Sequence, residues 1–100
     1  MTLDDFKASL KAAVPPAGLR PALRALWQLE TGDWAQAHKT VQAESDQASQ
    51  WVHAHLHRVE GDLGNAGYWY RRIGKSLCEA PLEAEWDEIA AALLAEEISK

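Results

Sequence analysis

Two ten-residue stretches of this chain, "GDWAQAHKTV" from Gly32 and "GDLGNAGYWY" from Gly61, align without a gap. Gly32 falls on Gly61, Asp33 on Asp62, Ala37 on Ala66 and Val41 on Tyr70, and upstream Ala25 falls opposite Ala54. A glycine accepts the left-handed backbone that ends a helix, and an aspartate directly after it can cap the next one. A small residue five positions on lets two helices approach closely. The larger residue four positions later fills the space below it on the same face. The chain is therefore constrained to two helical hairpins, each bent at a Gly-Asp corner.

The rest of the chain extends that pattern. Thr2 and Asp5 have capping-box spacing, and Leu3, Phe6, Leu10 and Val14 recur at helical intervals until Pro15-Pro16 and Gly18 stop them. Leu19, Leu23, Leu26 and Leu29 mark a second helix that ends at Gly32. A third runs from about Trp34 to Glu44 and is expected to bury Trp34, Ala37 and Val41. Ser45 or Asp46 caps a fourth, whose apolar stripe is Val52, Leu56 and Val59 and which ends at Gly61. The fifth is expected to turn Ala66, Trp69, Tyr70, Ile73 and Leu77 inward. Pro81 opens a sixth with a broad apolar face of Leu82, Trp86, Ile89, Ala90, Leu93 and Leu94. No alternating pattern is sustained, so the expected class is all-α: about six helices in antiparallel hairpins, one domain over 1–100.

Composition narrows the setting. The net charge is −5, and from Glu79 onward there are seven acids and one base, Lys100. An acidic chain without a basic stripe argues against nucleic acid and anionic membranes as partners. The acidic tail reads as a solvated helix face. A single cysteine, Cys78, rules out an intramolecular disulfide or a cysteine-based zinc cluster. No apolar run reaches membrane-spanning length, the first residues lack the charge order of a signal peptide, and a cytoplasmic location is expected. Five tryptophans stand against one phenylalanine, and each indole brings an N–H that needs a partner when buried.

The small–turn–small–large order resembles the corner of tetratricopeptide repeats, which implies a right-handed array of hairpins with a concave face. The repeat of 29 residues between Gly32 and Gly61 is shorter than the usual ~34, and no proline closes either hairpin. The segment from Trp51 to Gly74 is also similar to small helical proteins with the signature W-x-H-A-x-x-H-R-x-E-x-D-x-x-N-A-x-Y-W-F/Y-R-R-x-G. That resemblance covers Trp51, His53, Ala54, His57, Arg58, Glu60, Asp62, Asn65, Ala66, Tyr68, Trp69, Tyr70, Arg71, Arg72 and Gly74. It extends upstream to Leu26, Trp27, Ala37, His38 and Gln42, and it implies no catalytic assignment.

The polar residues of this segment fall into a pattern. His53, His57 and Glu60 lie at i, i+4 and i+7, beside the apolar stripe of the fourth helix rather than opposite it. Asn65 and Arg72 flank Trp69 on the fifth, and His38 and Gln42 border Val41 on the third. Three consecutive helices each carrying a polar pair at a core edge suggests that the pairs meet. A metal would find His-x3-His with a nearby carboxylate and a further ligand in His38. Ala54, however, stands where a zinc protease has its glutamate. Acid–base catalysis would use His57 with Glu60 and Arg72 as an anion clamp, but no nucleophile motif accompanies them. A ligand pocket would stack on Trp51, Tyr68 and Trp69 and be oriented by His57, Asn65 and Arg72. A structural reading has these groups satisfying one another, with Arg58, Glu60 and Arg71 as a partly exposed ion network and His55 turned outward or into a neighbouring helix.

The resulting expectation is a non-enzymatic binding or scaffold module for a protein or a small acidic ligand. Its site is the surface edged by His38, His53, His57, Glu60, Asn65, Trp69 and Arg72, with no catalytic residue, metal or cofactor assigned. The rival is a small hydrolase or metal-dependent enzyme built on His53, His57 and Glu60. Pairing of two copies through the last helix is a further expectation.

Overall fold

The computed structural model describes residues 1–98; Lys100, the one base of the tail, lies outside the described residues. The fold is all-α, with six helices and no strand among the described residues: α1 (Leu3–Ser9), α2 (Pro21–Glu30), α3 (Trp34–Gln42), α4 (Gln47–Val59), α5 (Leu63–Arg72) and α6 (Leu82–Ile98). None of these helices is long and apolar enough to cross a membrane.

The Gly-Asp corners work as their chemistry requires. Gly32 and Gly61 have φ of +95° and +85°, a region that costs any residue with a Cβ. Behind each glycine the helix closes in a Schellman motif. Asp33 N–H donates to the Gln28 carbonyl and Gly32 N–H to that of Leu29; Asp62 N–H donates to His57 and Gly61 N–H to Arg58. The same two aspartates then turn their side chains forward, accepting from the backbone N–H of Gln36 and of Asn65. One residue thus closes a helix with its backbone and opens the next with its carboxylate, so the chain reverses within three residues.

Gly74 repeats the closure at φ +74°, with Lys75 N–H donating to the Tyr70 carbonyl. The next residue is lysine rather than aspartate, so no new helix starts. α5 therefore ends at Arg72, and Leu77, expected to turn inward, lies exposed in the connector to α6. α1 is also shorter than its apolar spacing suggests. Its end tightens into i→i−3 bonds, and Lys11–Val14 are exposed, with Val14 held out of helix by the following proline.

Packing follows the hairpins. α2 lies on α3 and α4 on α5, with α3 on α4 joining the two pairs and α6 covering α1, α2 and α4. The small residues at the aligned positions, Ala25 and Ala37 in the first hairpin and Ala54 and Ala66 in the second, are all fully buried. So are the larger residues below them, Val41 and Tyr70, at 1% exposure each. The main core unites Phe6, Leu23, Leu26, Trp27, Val52 and Leu56 with Trp86, Ile89, Leu93 and Leu94 of α6. The Trp86 ring stacks on Phe6, and its indole N–H donates to the Leu26 carbonyl. The apolar face of α6 is thus covered within the chain from Trp86 to Leu94, while Leu82, expected in the same face, is exposed.

Candidate functional site

α4 is buried on several sides, because α2, α3, α5 and α6 all pack against it. Its three histidines are all buried, and they face two different neighbourhoods.

His53 and His57, one turn apart, face α3 and α5. His38 of α3 meets them: its Nε2 lies 3.1 Å from Nε2 of His53, and its ring centre is 4.8 Å from that of His53 and 5.3 Å from that of His57. One ligand-capable nitrogen from each of the three rings lies within 4.8 Å of the other two. Two tryptophans hold the rings from outside. Trp34 stacks on His38 at 5.0 Å and 9°, anchored by its indole N–H to the Leu56 carbonyl at 2.8 Å. Trp69 stacks on His53 at 4.1 Å and 24°. Glu60 reaches back one turn to His57, whose Nδ1–H donates to Oε1 at 2.5 Å. When the ring is neutral, that bond leaves the lone pair on Nε2 of His57.

Burial is the main reason the His38 and His53 imidazoles resist protonation, with the neighbouring rings adding to it. Burial, then the charge that His57 would carry, lowers the pKa of His38 below its usual 6.5, with Glu60 opposing. Burial, then His38 and His57, brings His53 down to about 4. At neutral pH His38 and His53 are therefore neutral rings, and the contact between their Nε2 atoms is an N–H···N hydrogen bond whose direction the tautomers set.

Outside this layer, Arg72 lies over both exposed-side aromatics. Its guanidinium carbon is 5.2 Å from the centre of the Trp69 ring and 5.7 Å from that of Tyr68, and it donates to the Tyr68 hydroxyl at 3.2 Å. Trp69 thus meets both His53 and Arg72. Among the described residues no carboxylate forms an ion pair with Arg71 or Arg72.

Of the residues the sequence marks, His38, His53, His57, Glu60, Trp69 and Arg72 come together. Asn65 does not. It sits in the first turn of α5, exposed, with its backbone N–H bonded to the Asp62 side chain. Trp51, expected in the same stacking surface, instead lies under the Lys75 ammonium at 4.3 Å, away from the histidine layer. Trp34, whose spacing marks it only as a core residue, is an added member of the layer.

Helical spacing gives no sign of the second neighbourhood. His55 faces α6, where Glu85 is 1% exposed. His55 Nδ1–H donates to Glu85 Oε1 at 2.6 Å, Arg58 donates to the same oxygen at 2.7 Å, and the Tyr70 hydroxyl donates to Oε2. Arg58 also holds the Ala80 carbonyl in the connector. The expected network of Arg58, Glu60 and Arg71 is therefore not formed. Arg58 is drawn under α6, and Glu60 is engaged by His57. Glu85 is likewise the exception to the solvated acidic face. Burial alone would raise its pKa, but the three donors hold it at about 2. Burial and the bond to Glu85 push the Tyr70 hydroxyl up, so it stays a donor.

The best-formed clefts, of 260 to 610 Å³, open elsewhere, and none is lined by His38, His53, His57 or Trp69. The platform of Tyr68, Trp69 and Arg72 lies on the outer side of the histidine layer, with Tyr68 and Arg72 exposed. Comparison with protein-family models, with curated proteins and with solved structures gave no match.

Proposed function

We propose that this chain is a non-enzymatic binding module that takes an acidic group of a partner protein on the outer face of α5. The observation that carries the reading is the layering of Arg72 over Trp69 and Tyr68, with no carboxylate among the described residues to neutralise it. Arginine and aromatic side chains dominate binding energy at protein interfaces, and a guanidinium held beside aromatic rings and bonded to the Tyr68 hydroxyl presents its remaining donors outward. The histidines beneath stiffen the platform by fixing the inner face of Trp69. The proposed scaffold is a right-handed array of two hairpins, similar to tetratricopeptide repeats, in a cytoplasmic setting. A net charge of −5 disfavours nucleic acid and anionic membranes. A second copy docking on α6 would meet its outer edge, because the apolar face lies under α1, α2 and α4.

A panel of acidic and phosphorylated peptides screened by thermal melt against wild type and Arg72→Ala tests this. The expected result is a stabilising peptide whose effect is lost in the variant. A peptide that binds both equally removes Arg72 from the site.

A further inference from the structure

We propose that His38, His53 and His57 bind a divalent transition-metal ion of the zinc type, with Glu60 fixing the tautomer of His57. This site lies beneath the Arg72 platform and uses other residues, so it goes beyond the peptide-binding reading and does not depend on it.

The geometry carries the inference in three steps. First, the ring nitrogens of His38 and His53 face one another: their Nε2 atoms share an N–H···N hydrogen bond, one ring donating and the other accepting. In an ordinary structural cluster each imidazole N–H is given a carbonyl or carboxylate. Here Nε2 of His38 and Nε2 of His53 are 3.1 Å apart. Two imidazole ligands on one tetrahedral ion, each about 2.0–2.1 Å from it, are separated by about 3.4 Å. The spacing is close to that of co-ligands, and a nitrogen of His57 lies within 4.8 Å of the other two, so an approach of up to about 1.4 Å brings it to the same point.

Second, the ring that faces a carboxylate does so from the side a metal site requires. Glu60 accepts from Nδ1 of His57, the carboxylate–histidine arrangement that leaves Nε2 as the ligand and increases its basicity. The neighbouring set of His57, Glu60 and Asp62 is not the better choice, because Asp62 is already the cap of α5.

Third, two of the three ligand rings are held in place before any ion arrives. Trp34 on His38 and Trp69 on His53 block ring rotation, and Trp34 is itself tied to the α4 backbone. Three nitrogen ligands suit zinc-type ions better than magnesium or calcium, which prefer oxygen. They leave one tetrahedral position for water or for an anionic ligand.

The test uses the full chain, dialysed against chelator and titrated with cobalt(II). The expected result is a one-to-one complex with the visible d–d bands of four-coordinate cobalt, displaced by zinc(II). Zinc at one hundred times its Kd should raise the melting temperature by roughly 10 °C or more. Glu60→Gln should weaken affinity about 10- to 100-fold, His38→Gln should abolish the cobalt bands, and Arg72→Ala should leave them unchanged. Should His38→Gln fail to fold, wild type alone still decides. Zinc must shift the imidazole resonances of His38, His53 and His57 and leave those of His55, which is bonded to Glu85, in place. Six-coordinate cobalt spectra with no zinc-dependent rise in melting temperature would overturn the proposal, as would bands that persist in a folded His38→Gln. Loss of peptide binding in Arg72→Ala with intact cobalt bands separates this site from the platform above it.

Discussion

Glu85 shows how much a single side chain can carry. Three donors from α4 and α5 converge on its two oxygens, so one carboxylate joins His55, Arg58 and Tyr70 to α6. Replacing it by glutamine leaves a buried guanidinium without its counter-charge, and Glu85→Gln should cost roughly 3–5 kcal/mol in urea denaturation at neutral pH. The same contact gives stability a defined acid dependence. Its folded pKa of about 2 lies below the ordinary 4.5, so the stabilisation is complete above about pH 4.5 and drains away as the pH falls toward 2. Across that window the wild type should lose about 3 kcal/mol more than Glu85→Gln does, since the other carboxylates titrate in both. Equal losses in the two proteins would show that the carboxylate is not held ionised. Nothing local distinguishes Glu85 from the other acids of the tail. Its burial depends on partners 15 to 30 residues away, so the sequence alone could not separate it from a solvated face. His38, His53, His57 and Glu60 could be read, because their helical spacing places them beside an apolar stripe.

At the scale of elements, the corners were legible because one dipeptide supplies both backbone freedom and a cap. Gly61 shows it most clearly: no atom stands within 4 Å of an added Cβ, so alanine there meets a conformational cost and no steric one. Gly61→Ala should therefore destabilise by about 1–2 kcal/mol, read as a lower urea midpoint with unchanged slope. A drop several times larger would mean that the corner does more than turn the chain. The end of α5 escaped. The spacing of Ile73 and Leu77 continues a helical stripe across Gly74, and periodicity does not register that the glycine has taken a left-handed φ. The last turn of α1 escaped for a related reason: Leu10 and Val14 keep the period, but no neighbour covers Val14, which is 69% exposed.

Across the whole molecule, α6 closes the core that the two hairpins leave open on one side. It contributes Trp86, Ile89, Leu93 and Leu94, each almost fully buried, worth roughly 6–12 kcal/mol together. That is comparable to the entire stability of an ordinary domain. A chain ending at Ala80 should therefore lose its cooperative thermal transition, as followed by circular dichroism. A sharp transition in the truncated chain would show that the hairpins fold without their lid. The surface pairs Lys7–Asp87 and Arg20–Glu96 add little to this attachment, because both are open to solvent. The placement of the five indoles has a practical consequence. Trp27, Trp51 and Trp86 lie away from the histidine layer, whereas Trp34 and Trp69 lie flat against its rings. An excited indole stacked on an imidazole exchanges charge with it, so whatever alters those rings alters the light the indoles emit. The protein carries its own optical gauge, and fluorescence from Trp34 and Trp69 reads the state of the layer without any label.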